Sequence, residues 1–117
     1  MNVAQLSAAL QAEVIRRGYL RRVEVLDQSI NLIKVRLHIA PDLFIQIYQN
    51  DRFDTTNFAV IHNNQRLYAR DQVDGVWHRH TTSQPAAHDV SLAGRQAVEL
   101  SQFLDEVESI LAELGLP

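Results

Sequence analysis

At 117 residues and 46% hydrophobic content, the chain suits one globular domain, 1–117, with a single core that needs no staples. It has no cysteine, which excludes disulfides, thiolate metal sites and cysteine nucleophiles, and its net charge of −3 argues against a general nucleic-acid-coating protein. No long apolar run follows a basic patch, so neither a signal peptide nor a membrane span is expected, and the expected compartment is the cytoplasm. The charge is uneven. Five of the 14 acids (Glu99, Asp105, Glu106, Glu108 and Glu113) follow Arg95, where no Lys or Arg occurs, so residues 1–95 carry 11 basic against 9 acidic groups, a net of +2. Ten of the 11 basic residues are Arg, the better type for bidentate phosphate or carboxylate contacts.

Val3–Arg17 reads as an amphipathic helix. Val3, Leu6, Leu10 and Val14 recur at helical spacing, with Asn2 as N-cap and Gly18 as the stop. Arg16, Arg17, Arg21 and Arg22 around that stop form either a phosphate patch or, more simply, helix-end charges followed by a strand edge. A run of strands follows. Leu20–Leu26 puts Val23 and Val25 on one face, and Leu32–Ile39 turns Ile33, Val35, Leu37 and Ile39 inward against Lys34, Arg36 and His38. Pro41 breaks the ladder, and Leu43–Tyr48 resumes it with Leu43, Ile45 and Ile47 opposed by Phe44, Gln46 and Tyr48. Asn57–His62 is a further strand, with His62 on the face of Phe58 and Val60, and Asn63-Asn64 is a tight-turn signal.

Gln65–Thr81 is the stretch that gathers chemistry. Asp74-Gly75 between two alternating segments predicts a two-residue hairpin. Arg66, Tyr68 and Arg70 share one face of the first strand, and His78 and His80 share one face of the second. If Trp77 packs with Leu67, Ile45 and Val35 in the core, the histidines are expected beside Arg66, Tyr68 and Arg70. Ser83–Gly94, containing Pro85 and His88-Asp89, reads as a loop, and Gln96–Leu100 as a short extended piece. Ser101 looks like the N-cap of a last helix. Its apolar stripe is Phe103, Leu104, Val107, Ile110, Leu111 and Leu114, and Gly115 ends it.

Short connections between successive strands predict an α+β fold. It is an antiparallel β-meander of five to six strands, with the N-terminal and C-terminal helices packed on one face. The open face then collects Lys34, Arg36, His38, Gln46, Tyr48, His62, Arg66, Tyr68, Arg70, His78 and His80. Cations interleaved with aromatics suit an RNA backbone and stacked bases, with Lys34, Arg36, Tyr48 and Arg79 as binding residues. A solvated face or a dimer interface is the competing reading of the same residues. His78-x-His80 supplies two metal ligands where three or four are needed, and His62 or His88-Asp89 would have to complete the set, so neither a metal nor a cofactor is expected. The parts do suit metal-independent RNA cleavage. His78, His80 or His88, the last brought near by the Ser83–Gly94 loop, supply imidazoles near pKa 6.5 as base and acid, Arg66, Arg70 and Arg79 stabilise the phosphorane, and Tyr68 positions or donates. A histidine paired to a carboxylate such as Asp71 would instead be structural. No phosphate-binding glycine loop, nucleophile elbow, HExxH motif or helix-turn-helix occurs.

At R-x-Y-x-x-D (Arg66, Tyr68, Asp71), with a histidine-bearing strand and then Pro85 and His88, the chain resembles the TumE-like family of small prokaryotic α+β proteins. The likeness runs from Leu43 through Leu111 and includes L-F-I-Q-I-Y, R-L-Y-A-R-D, W-H-R-H and F-L-D-E-V-E. Many members have Asp-Asn after the tyrosine and further paired histidines, where this chain has Asp71-Gln72 and one later histidine, His88. The resemblance implies the toxin of a toxin–antitoxin pair, a helix-turn-helix antitoxin as protein partner and RNA as target. The alternative is a non-enzymatic or self-associating module, a possible homo-oligomer, that uses the polar sheet face or the acidic C-terminal helix.

Overall fold

The computed structural model describes residues 1–117. Two helices and six strands follow in the order α1 (Val3–Arg16), β1 (Arg22–Gln28), β2 (Leu32–Ala40), β3 (Leu43–Asn50), β4 (Thr55–His62), β5 (Gln65–Val73), β6 (Val76–His80) and α2 (Leu100–Leu114). The strands form one antiparallel sheet in sequence order, because each is too closely tethered to the next to pair elsewhere. Both helices lie on the same face, over β2, β3 and β4.

The core follows from period 2. Ile33, Val35, Leu37 and Ile39 of β2, Leu43, Ile45 and Ile47 of β3, and Phe58 and Val60 of β4 are all buried toward the helices. Leu6 and Leu10 of α1 and Phe103, Leu104, Val107 and Leu111 of α2 close over them. Trp77 joins this core as expected, its ring 6.4 Å from that of Phe58. Both hairpin turns also form as read. Asn63 and Asn64 have φ of 51° and 63°, and Asp74 and Gly75 have 51° and 79°, the left-handed pair of a type I′ turn.

Three boundaries differ from expectation. Asn2 does cap α1, in a reciprocal capping box with Gln5, but the helix ends on extended Arg17 rather than a left-handed Gly18. The α2 helix begins at Leu100 with Glu99 as N-cap, because the Gln102 side chain reaches back to the Glu99 N–H (2.8 Å); Ser101 is already helical, and Gln96–Leu100 forms no strand. The first strand starts at Arg22 rather than Leu20. Arg17 resolves the basic cluster. Its guanidinium is buried and pairs with Glu13 (2.6 Å), Asp105 (3.0 Å) and Glu108, joining α1 to α2. Arg16 also pairs with Glu13 (2.9 Å), so Arg16 and Arg17 are helix-end charges, while Arg21 and Arg22 stand exposed at the start of β1.

Candidate functional site

The hairpin register divides the expected site between two faces. A two-residue turn pairs Val73 with Val76, and therefore Gln72 with Trp77, Asp71 with His78, Arg70 with Arg79 and Ala69 with His80. Trp77 thus shares its face with Gln72, Arg70 and Tyr68, while His78 and His80 share theirs with Asp71. Tyr68 and Arg70 consequently do not stand beside the histidines. They are buried under α2, where the Arg70 guanidinium grips Glu106 (2.6 and 3.1 Å) and donates to the Ala93 carbonyl (2.8 Å), and Tyr68 Oη donates to Glu106 (2.8 Å). Burial, reinforced by the Glu106 carboxylate, pushes the Tyr68 hydroxyl up to about 12. For Arg70, burial disfavours the charge, but Glu106 outweighs it and the pKa is raised. The three side chains tie the sheet to α2. Arg79 also lies on the helix-side face, ion-paired with Asp89 (2.5 Å). His62 is opposite Leu43 at the far end of the sheet, 3.5 Å from Asp42, and joins neither the site nor a metal set.

Arg66 does reach the histidine face, through a β-bulge. Val60 pairs with Tyr68 but Ile61 pairs with Arg66, leaving Leu67 as the extra residue of β5. The insertion reverses the parity of everything before it, so Arg66 emerges opposite the core-facing Tyr68. Its Nη2 donates to the Pro85 carbonyl (2.9 Å), and His80 Nδ1 hydrogen-bonds the same oxygen (3.0 Å). A carbonyl can only accept, so the His80 proton sits on Nδ1.

Residues 81–94 form a strap around the β6 edge. It is pinned by the Arg79–Asp89 backbone bridge and carries His88 back over the open face. The His88 ring stacks on His78 (centroids 4.8 Å apart, planes 25° apart) and meets His80 edge-on (4.8 Å, 73°). Asp71 completes the group, 3.7 Å from His78 Nδ1 and 3.4 Å from His80 Nε2. Asp71 Oδ1 and His80 Nε2 are both buried without a hydrogen-bond partner. His80 is almost fully enclosed. Burial lowers its pKa, the Arg66 charge lowers it further, and the opposing pull of Asp71 does not compensate. On the strap, hydrogen bonds from Ser91, with Arg79 beside it, hold the Asp89 carboxyl down to about 2. Stacked imidazoles direct their lone pairs in parallel rather than toward one point, and no three His, Asp or Glu side chains in the molecule converge to hold a metal ion.

Three and four strands away from β6, the binding residues expected on β3 and β2 do face the open side. Arg36 lies over the Phe44 ring (4.7 Å), His38 Nε2 bonds Glu24 (2.9 Å), and Lys34 pairs with Tyr48 across the two strands. Strand spacing of about 4.8 Å puts this group roughly 14–19 Å from β6. A cleft of about 780 Å³ opens on the other face, between α1 and the start of α2, over Thr56, Gln72 and Trp77. It contains none of the histidines. From sequence, Asp71 is expected only as the structural partner of a histidine, and Glu106 as the partner of Tyr68 and Arg70 is not read at all. The odd–even pairing of a two-residue hairpin was the available signal for the first. Scanned against protein-family models, curated proteins and solved structures, the chain matches none.

Proposed function

We propose that the protein cleaves RNA without a metal, using the His78/His88 pair on the open sheet face. The observation that supports this is the cluster of three imidazoles in contact, with the Arg66 guanidinium beside them. His88 is exposed and His78 half-exposed, so both can reach a phosphodiester, whereas enclosed His80 and Asp71 position them. One neutral imidazole takes the proton of a ribose 2′-hydroxyl as that oxygen attacks phosphorus. The bond to the 5′-oxygen breaks, and the leaving oxygen takes a proton from the other, charged imidazole. Products are a 2′,3′-cyclic phosphate and a free 5′-hydroxyl. Arg66 stabilises the charge on the phosphorane, and Lys34, Arg36 and Tyr48 hold the strand farther along the face.

In this reading the protein acts in the cytoplasm as the toxin of a gene pair, masked by a helix-turn-helix antitoxin, as the TumE-like resemblance implies. That no helix is long and apolar enough to cross a membrane is compatible with it. Purified protein incubated with RNA should leave cyclic-phosphate ends in the presence of a chelator. His78→Ala and His88→Ala should each slow cleavage about 10²-fold or more while leaving the thermal midpoint nearly unchanged. Arg66→Lys should slow it too, since an ammonium cannot make a bidentate phosphate contact. Intact RNA with the wild type, or full activity in both histidine variants, sinks the proposal.

The acidic C-terminal helix of the alternative module spends three of its acids within the molecule, although Asp105 and Glu108 stay open to solvent. Glu106 is committed to Arg70, and Asp105 and Glu108 to Arg17, which leaves only Glu99 and Glu113 of its five acids outside ion pairs.

A further inference from the structure

We infer that the chain forms a two-fold symmetric dimer by pairing β1 with β1 of a second copy. The two edges of the sheet are treated differently. The β6 edge is covered, since the strap bridges Arg79 through Asp89. The β1 edge has no neighbour beyond β2, and no helix covers it. Val23 and Val25 pair with Leu37 and Val35 and so point to the helix side, yet they are 43% and 55% exposed, with Leu26 beside them at 40%. Bare edges of this kind are usually guarded by a proline, by charges, lysine above all, or by a bulge. Residues 22–28 contain no proline and no lysine, the bulge at Leu26 leaves Arg22–Val25 regular, and the two charges of that regular stretch, Arg22 and Glu24, are of opposite sign.

Those charges select the partner and the register. In an antiparallel pair of identical strands, residues that face each other must project their backbone groups the same way, so only every second register is open. Centring the two-fold axis on Glu24 sets Glu24 against itself, and centring it on Arg22 sets Arg22 against itself. Centring it on Val25 sets Val23 against Asp27 and Glu24 against Leu26. Centring it on Val23 places each Arg22 opposite the partner copy's Glu24, on the open side, and the two Val23 side chains against each other on the helix side. Of these registers, this one alone combines opposite charges across the pair with a valine pair at the axis, and it leaves Val25 opposite the partner copy's Arg21. The hydrogen bond with His38, with Arg22 and Arg36 nearby, lowers the Glu24 pKa and engages Oε1, which leaves Oε2 for a further arginine.

Sedimentation velocity at micromolar protein should give twice the chain mass for the wild type. Arg22→Glu alone and Glu24→Arg alone each set like charges against each other and should weaken association about tenfold or more. The combined Arg22→Glu/Glu24→Arg variant restores opposite charges in the same register and should recover the dimer. Because the chain lacks cysteine, Val23→Cys introduces one thiol that meets its own copy about 5 Å away at Cβ. A short thiol cross-linker should capture that dimer and not one formed by Val25→Cys, which stands opposite Arg21. A monomer at all concentrations, a dimer indifferent to the single reversals, a double reversal that stays monomeric, or cross-linking at Val25 instead of Val23 overturns the proposal.

Discussion

Glu106 serves two partners at once, since one carboxylate satisfies both the Tyr68 hydroxyl and the Arg70 guanidinium beneath α2. Removing a partner from a buried ion pair leaves a charge without compensation, and that costs more than the intact pair gains. Glu106→Ala should therefore lower stability by about 2–3 kcal/mol in urea titration, the open side of Glu106 moderating the loss, and Tyr68→Phe by only about 1 kcal/mol. His80 gives the molecule a pH response. Its folded pKa is depressed below 6.5 by burial and then by Arg66, so folding favours the neutral ring. Its contribution is complete above about pH 6.5 and is lost as pH falls through the folded value. His80→Gln should flatten that part of the thermal midpoint's acid-side decline, seen as a shrinking difference from wild type below pH 6.5. An unchanged slope would remove His80 from the account.

At the scale of elements, the β5–β6 hairpin sets which side chains meet. Its turn requires positive φ at Asp74 and Gly75, where a β-branched residue is strained. Gly75→Val should cost about 1–2 kcal/mol, well beyond an ordinary surface change, and a neutral result would mean that the turn has another geometry. Trp77→Ala on the returning strand should cost about 3–5 kcal/mol, because the indole packs on Phe58 in the core. The strap has its own constraint at Gly94, where a Cβ would collide with the Asp89 carbonyl oxygen. Gly94→Ala should accordingly displace the Asp89 end of the strap and loosen His88 against His78. A ring-current change at the His78 imidazole protons would report it.

Across the whole molecule, two ion clusters join layers that the chain itself connects only through long excursions. Arg17 links α1 to α2, and Arg70 links the sheet to α2. Arg17→Ala strips the enclosed Glu13 of its main partner and also removes an apolar stem, so a loss of about 2 kcal/mol and less cooperative unfolding are expected by calorimetry. Arg17→Lys should recover only part of it, since one ammonium cannot bond three carboxylates in a planar fork.

The amino-acid sequence by itself determined the meander, both type I′ turns, the inward faces of β2 and β3 and the enclosed Trp77. All of these are local in cause: period-2 alternation, Asn-Asn and Asp-Gly at the turns, and connections too short for any other pairing. The same local logic, carried one step further through the Asp74-Gly75 pairing, separates Tyr68 and Arg70 from His78 and His80. The expectation that grouped them ran against a register already written in the turn. Tertiary structure alone decided the rest. The bulge at Leu67 that returns Arg66 to the histidine face, the strap that stacks His88 on His78, and the capture of Arg70 by Glu106 each bring together residues far apart in sequence. Their geometry depends on how the α2 layer and the β6 edge pack, and no alternation pattern along one strand encodes that.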